Sequence, residues 1–124
     1  MTLTIAVLGQ ILIALGIFNV WLVRRNRPTP YRPDGSSGIE DEFRRYGFPS
    51  WMWRVVGVTK VSLAVLLLVG VVVPAVVPVT AGAMALLMIV AIGAHLRVSD
   101  PLIKSLPAAT MLLLCALVLA THSA

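Results

Sequence analysis

Residues 51–96 read WMWRVVGVTKVSLAVLLLVGVVVPAVVPVTAGAMALLMIVAIGAHL, and this stretch decides the fold. Two long apolar runs, Trp51 to Val73 and Val79 to Leu96, are separated only by the short segment that Pro74 and Pro78 bracket. Each run can cross the hydrocarbon layer as a helix. Each proline removes a backbone donor and disfavours helix in the residue before it, so the spans break here and form an antiparallel hairpin. Pro49 suits the start of the first run, and Trp51 and Trp53 suit the lipid interface, where an amphipathic ring is well placed.

Working outward, Leu3 to Val23 is a further apolar run, interrupted only by Gln10 and Asn19, and as a helix it rises ~31 Å. No basic region precedes it, and Arg24, Arg25 and Arg27 follow it in place of a small-residue cleavage site. It therefore reads as a retained span rather than a signal peptide. On the other side, the turn Ser99-Asp100-Pro101 supplies an Asp cap and a proline for the first helical position. Leu102 to Ala120 follows as the fourth run, with an early kink expected at Pro107. The expected fold is all-α: an integral membrane four-helix bundle in one domain, residues 1–124, with spans at 3–23, 51–73, 79–96 and 102–120. Composition agrees, because 59% hydrophobic and 12% charged residues leave too few polar groups to cover a soluble surface. The lone Cys115 can form neither an internal disulfide nor a CxxC site, which excludes a dithiol enzyme.

The connection between the first two spans differs in kind. Pro28, Pro30, Pro33 and Pro49, with the run Gly35-Ser36-Ser37-Gly38, rule out continuous helix, and Pro28 to Gly38 is expected to be the least regular part of the chain. Ile39 to Tyr46 is expected to form a short amphipathic helix capped by Ser36 or Ser37. Its face carries Ile39, Phe43 and Tyr46, and its first turn carries Glu40, Asp41 and Glu42. Such a segment belongs on the membrane surface or in the mouth of the bundle. In the third span, Thr80, Ala81, Gly82, Ala83, Ala85, Ala91, Gly93 and Ala94 form a small-residue surface. Close helix packing is the plain reading of that surface, and a smooth lane for a substrate is the functional one.

All ten Lys and Arg residues lie in, or lead away from, the segments 24–50 and 97–104. The opposite side, with both termini and the Pro74 to Pro78 connection, has none. This asymmetry places loops 24–50 and 97–104 in the cytoplasm and both termini outside, as in a multi-pass protein of a bacterial inner membrane. The net charge of +5 then accounts for orientation and for attraction to anionic lipid, not for nucleic acid, since no groove-reading or base-stacking module has room to exist.

Chemistry must be sought among polar groups inside the bundle. Lys60 lies ~13 Å along the helix from Trp51, in a run of Val, Leu, Ala, Gly and Ser. A charged amine there is costly unless paired, hydrated or neutral. Gly57 and Ala64 share its face, so small neighbours leave it space. His95 closes the third span at the end where the second opens, and can shuttle a proton or hold a carbonyl. Arg54 reaches the headgroups by snorkelling. Asp41, Glu42 and Asp100 are carboxylates able to pair with Arg54, Arg97 or Lys60 over the mouth, and Asn19 and Gln10 are candidates for hydrogen bonds between helices. No metal site is expected, because His122 sits at the far terminus and no His or Cys is placed to join His95.

Several short runs, in this order between the spans, carry a resemblance: Phe18-Asn19-Val20-Trp21-Leu22, Arg24 to Arg32, Glu42-Phe43-Arg44-Arg45-Tyr46-Gly47, Gly57-Val58-Thr59-Lys60 and His95-Leu96-Arg97-Val98-Ser99-Asp100-Pro101. The chain resembles the DoxX-like family of small bacterial four-span membrane proteins over essentially its whole length. In the family pattern two acidic residues precede the phenylalanine, and Asp41 and Glu42 fill those places, while the lysine and histidine fall on Lys60 and His95. The family name derives from a membrane subunit of a thiosulfate:quinone oxidoreductase. The resemblance therefore implies a quinone as a candidate ligand and a membrane oxidoreductase as a candidate partner, but it transfers no catalytic residue. With no cysteine pair or haem-ligand pair, the chain by itself is a poor electron carrier.

Three functions follow as expectations. The first is a membrane subunit that binds a partner or a lipophilic molecule in a polar pocket formed by Lys60 and His95 and roofed by Ile39 to Tyr46. The second is an enzyme or isomerase on a lipophilic substrate, with Lys60 and His95 as acid and base. The third is a transporter working as a homo-oligomer. The topology is directly testable: a reporter fused after Ala124 is expected to read as external and one inserted within Gly35 to Gly38 as cytoplasmic. The opposite readout inverts the orientation and leaves the four spans standing.

Overall fold

The computed structural model describes residues 4–23, 26, 31 and 38–122. Helix α1 (Ile5–Phe18) opens on Thr4, whose hydroxyl accepts the Val7 N–H at 3.1 Å, and runs on through a π-helical turn, Asn19–Val23. A short α2 (Ile39–Arg45) precedes α3 (Met52–Val69). A 3-10 turn at Pro74–Val76 leads into α4 (Val77–Arg97), and another at Leu102–Ser105 leads into α5 (Leu106–Thr121). Four units, Ile5–Val23, Met52–Val69, Pro74–Arg97 and Leu102–Thr121, are long and apolar enough to cross a membrane. The fold is an all-helical bundle of these four, with α2 in the connection between the first two.

Two local expectations need correction. The second span is helical only to Val69, and the turn that reverses the chain lies at Gly70–Val73 rather than between the prolines. Pro74 and Pro78 instead occupy first-turn positions of the helical segments that follow, where a missing N–H costs nothing. Asp100 caps no helix; its carboxylate takes the His95 ring, and α5 begins through a 3-10 turn with no side-chain cap. Pro107, the place of the expected early kink, sits in the first turn of α5, directly after the 3-10 turn. Apart from Tyr31, the irregular stretch expected from Pro28 onward, with the Ser36 or Ser37 cap, lies outside the described residues; Gly38 precedes α2 without a side-chain cap bond.

The spans form a closed ring in which α1 packs on α3 and α5, and α4 packs on α3 and α5. Consecutive spans run in opposite directions, and α3 and α5 face each other across the bundle axis. The end opposite the basic loops is packed shut by Ile13, Leu67, Val77, Ala81, Met84, Cys115 and Val118, none of them exposed. Gln10, 1% exposed, lies in this closed half. At the end of α3 the Val71 N–H turns to Leu68 O at 3.1 Å, and the Gln10 side-chain amide donates to Leu67 O at 2.8 Å. Thr59, Thr80, Thr110 and Thr121 each donate back to the carbonyl four residues earlier, which satisfies hydroxyls that lipid could not. Large apolar side chains such as Val58, Val79 and Leu113 point outward, as a bundle solvated by hydrocarbon requires.

Close approach between helices is not where the small residues of α4 alone would put it. A Cβ at Gly82 or Gly93 would meet nothing within 4 Å. The tight glycines are Gly9 against Val118, Gly16 against Met111, Gly70 against Val77, and Gly57, where a Cβ would lie 2.8 Å from two carbons of the Trp21 indole. Thr80 and Ala81 are buried, which agrees with the packing reading of the α4 surface, while its two glycines meet nothing and Ala91 and Ala94 line a cavity. The space beside Lys60 that Gly57 leaves is occupied by a ring. Replacing Gly57 with Ala is expected to displace Trp21 and cost about 1–3 kcal/mol, seen as a lower Tm in detergent with altered tryptophan fluorescence. Gly93→Ala, with nothing to meet, is expected to leave both unchanged, and equal effects from the two would refute the packing.

Candidate functional site

At the basic end the ring of helices does not close. A cavity of about 710 Å³ lies on the bundle axis there, lined by the C-terminal part of the first span, the N-terminal part of α3, the C-terminal part of α4, the start of the last span, and α2 with the residues after it. Such a volume falls in the range that encloses a drug-sized molecule. Most of its wall is apolar, including Ile17, Val20, Val56, Leu87, Met88 and Met111. Its polar groups include Asn19, Glu42, Tyr46, Lys60, His95 and Lys104.

Two left-handed caps create the polar end. Gly47 has φ 82°, its N–H donates to Arg44 O at 3.0 Å, and the Phe48 N–H reaches Phe43 O at 3.1 Å. This ends α2 and folds Phe48 back onto Phe43, ring centroids 5.8 Å apart, the apolar contact typical of the motif. Ser99 repeats the pattern with φ 58°: its N–H donates to Leu96 O at 3.1 Å, and the Asp100 N–H to His95 O at 3.0 Å. Here the residue folded back is Asp100, and it meets His95. The carboxylate Oδ2 lies 2.8 Å from His95 Nδ1, with both side chains largely buried.

From His95 the contacts run on to α2. The Tyr46 hydroxyl donates to Glu42 Oε1 at 2.7 Å and lies 3.2 Å from both ring nitrogens of His95. Since Nδ1 faces Asp100, Nε2 is the nitrogen left for Tyr46. The result is a chain, Glu42–Tyr46–His95–Asp100, that joins α2 to the end of α4. Ionised carboxylates only accept, so the three links need three protons when both ends are ionised: one from Tyr46 and two from a doubly protonated imidazole. With a neutral imidazole one link lacks its proton, and Tyr46 can serve either Glu42 or His95 but not both. Around the chain, Trp21, Phe43, Tyr46 and Phe48 pack at centroid separations of 5.8 to 6.1 Å.

Lys60, 9% exposed, enters the cavity from α3. Its Nζ lies 5.3 Å from the centroid of the Trp21 ring, and Glu42 acts on it electrostatically. Its amine donates to no acceptor among the described residues. Among the sequence candidates, Asn19, Glu42, Lys60 and His95 thus share the cavity wall, while Asp100 stands behind His95. Asp41 and Arg54 are not in that wall. Asp41 pairs along its own helix with Arg44 at 3.6 Å and Arg45 at 3.4 Å, and the exposed Arg54 lies over Trp53 at 5.4 Å. Among the described residues Arg97 pairs with no carboxylate over the mouth, and it lies 5.8 Å from the Phe48 ring.

A family model described as the DoxX-like family matches residues 35–120. The chain belongs to the DoxX-like family. No curated protein and no solved structure matches it. The match and the four apolar helices make this DoxX-like protein a multi-pass membrane protein, and the matched range takes in α2, both left-handed caps, Lys60 and Lys104.

Three residues in or beside this cavity were not among the sequence candidates. Tyr46 was read only as part of an apolar face, although its place one turn after Glu42 allows the hydroxyl contact. Trp21 carried no polar signal. Lys104, 7% exposed, lines the cavity from the start of the last span, and in sequence it counts only toward the basic side of the bundle. The chain through Tyr46 is open to a direct test. Tyr46→Phe keeps the ring and removes the hydroxyl that Glu42 and His95 share, and a loss of about 1–3 kcal/mol is expected, read as a lower Tm in detergent. An unchanged Tm would show that the chain contributes nothing to holding α2 on the bundle.

Proposed function

We propose that this protein binds a lipophilic small molecule in the cavity at its basic end, as a small subunit of a bacterial inner membrane with its termini outside and the cavity toward the cytoplasm. The observation that carries the reading is Lys60: a side chain nine-tenths buried, facing an apolar cavity, whose amine has no acceptor among the described residues. A ligand oxygen placed at Nζ would supply the acceptor that the described residues do not, and the apolar wall would accept the rest of the molecule. A quinone is one class with the required acceptor, and a membrane oxidoreductase is the partner such a ligand would imply.

Transport through a single copy is disfavoured, because the other half of the axis is filled by side chains with no exposure. Acid–base chemistry on the bound molecule is the second reading. His95 favours it, standing in the same wall as Lys60 with one ring nitrogen held by Asp100, the arrangement that fixes an imidazole's orientation and tautomer.

The test is mass spectrometry of the detergent-purified protein under native conditions. One lipophilic molecule per chain is expected, released by organic solvent and absent from Ala91→Trp, which fills the cavity wall. Lys60→Met is expected to lose the molecule with the fold retained. If instead no molecule binds and Lys60→Met mainly lowers Tm, Lys60 is a structural anchor and the reading fails.

A further inference from the structure

We propose that Lys60 is the attachment point for a long-chain aldehyde, which its amine takes up as an imine inside the cavity. The inference rests on the ligand-binding reading above and names the ligand class of that same site.

The chain distributes its two kinds of cation unevenly. It has eight arginines and two lysines. Among the described residues Arg44, Arg45, Arg54 and Arg97 all stand outside the cavity wall, whereas both lysines, Lys60 and Lys104, stand in it. A guanidinium pairs with an anion or reaches an interface as well as an ammonium does, but only the lysine amine adds to a carbonyl carbon. The side-chain amines of this protein are thus confined to the one place where an apolar molecule can meet them. Lys104 is engaged in an interaction of its own. The Lys60 amine has no hydrogen-bond acceptor among the described residues, which leaves its nitrogen as the nucleophile.

The surroundings of Lys60 suit the product. An ammonium presents three N–H donors, and the described residues offer them no acceptor. A protonated imine presents one and a neutral imine none, so a bond to carbon removes the unmet donors instead of pairing them. What the site does supply acts through space: Glu42 electrostatically, and the Trp21 ring with its centroid 5.3 Å from Nζ. Both act on a cation at that nitrogen whether it is ammonium or iminium. Glu42 is therefore the counter-charge, and no further anion is needed. Ile17, Val56, Leu87 and Met88 form an apolar wall for the aldehyde's chain.

The chemistry balances without a co-reactant. The amine reacts in its uncharged form: its nitrogen bonds to the aldehyde carbon while one amine proton passes to the aldehyde oxygen. The C–O bond then breaks, and the oxygen leaves as water with the second amine proton. C=N replaces C=O, nothing is oxidised or reduced, and a proton taken up from solvent gives the iminium. Unfolding lets water reverse both steps, so organic solvent still releases the molecule unless the imine is first reduced.

The test uses the full chain at neutral pH in phosphatidylcholine nanodiscs, whose lipid carries no primary amine. Excess tetradecanal is added with sodium cyanoborohydride, which reduces an imine to a stable secondary amine, and intact mass with peptide mapping counts and places the adducts. One tetradecyl adduct per chain is expected on Lys60, formed at least about tenfold faster than on Lys104 or the N-terminal amine, because the bound aldehyde is held beside one nitrogen. Ala91→Trp, which fills the cavity wall, and Lys60→Arg, which keeps the cation but not the amine, are each expected to leave no adduct at residue 60. Adducts spread evenly over the three amines, or an undiminished Lys60 adduct in a folded Ala91→Trp, overturn the imine. If Lys60 gains no adduct while a lipophilic molecule still co-purifies, the imine fails and the ligand-binding reading stands. If there is neither adduct nor co-purifying molecule, both fail.

Discussion

Hydrocarbon offers no hydrogen bonds, so each polar side chain carried into this bundle must find its partner within the chain, within a bound molecule, or at the interface. That constraint sorts the polar residues along the axis. Toward the closed end, Gln10 gives its amide to Leu67 O, and the threonine hydroxyls fold back on their own helices. At the basic end the solution is longer, because Glu42, Tyr46, His95 and Asp100 satisfy one another in series and in doing so fasten a loop helix to α4. Lys60 stands apart from both solutions. Among the described residues its amine finds no acceptor in the chain.

The series depends on backbone conformation as much as on side-chain chemistry. A left-handed residue after a helix returns the next side chain to the face of the last turn, and both Gly47 and Ser99 do this. In α2 the returned side chain is Phe48, and the outcome is an aromatic wall. In α4 it is Asp100, and the outcome is an oriented imidazole. One device, used twice, thus supplies both the apolar and the polar halves of the mouth. Serine in a left-handed conformation is less favourable than glycine there, and the capping bonds around Ser99, with the Asp100–His95 contact, offset that cost.

How much of this could be read in advance follows from the range of each signal. The spans were legible because hydrophobic length is a property of contiguous residues. Lys60 and His95 stood out because charge inside an apolar run is conspicuous. Gln10 bonding between helices and α2 as an amphipathic segment followed from the same local patterns. The role of Asp100 did not, because Ser-Asp-Pro reads as a cap in sequence, and only the left-handed Ser99 turns its carboxylate onto His95. Trp21 and Gly57 were equally opaque. They lie in different spans, and nothing in either one announces that an indole fills the space a missing Cβ leaves. The small residues of α4 misled for the same reason, since smallness permits close approach but does not say which helix approaches, and Gly82 and Gly93 meet none.

The two ends of the bundle differ because of what their side chains can fill. Where Ile13, Leu67, Val77, Met84 and Val118 meet, flexible aliphatic chains interdigitate and the axis closes. At the basic end the facing groups are rings: Trp21 on Gly57, Phe43 edge-on to Trp21 at 78°, and Tyr46 turned toward His95 at 80°. Flat, rigid groups meeting at steep angles build walls but cannot fill the corner between them, and here a hydrogen-bonded chain pins one of them. Tyr46 cannot collapse onto the axis without giving up Glu42 or His95, and Trp21 is held by the glycine beneath it. The open volume beside Lys60 is therefore fixed by contacts on its far side, and a molecule entering it would meet a surface already organised to receive it.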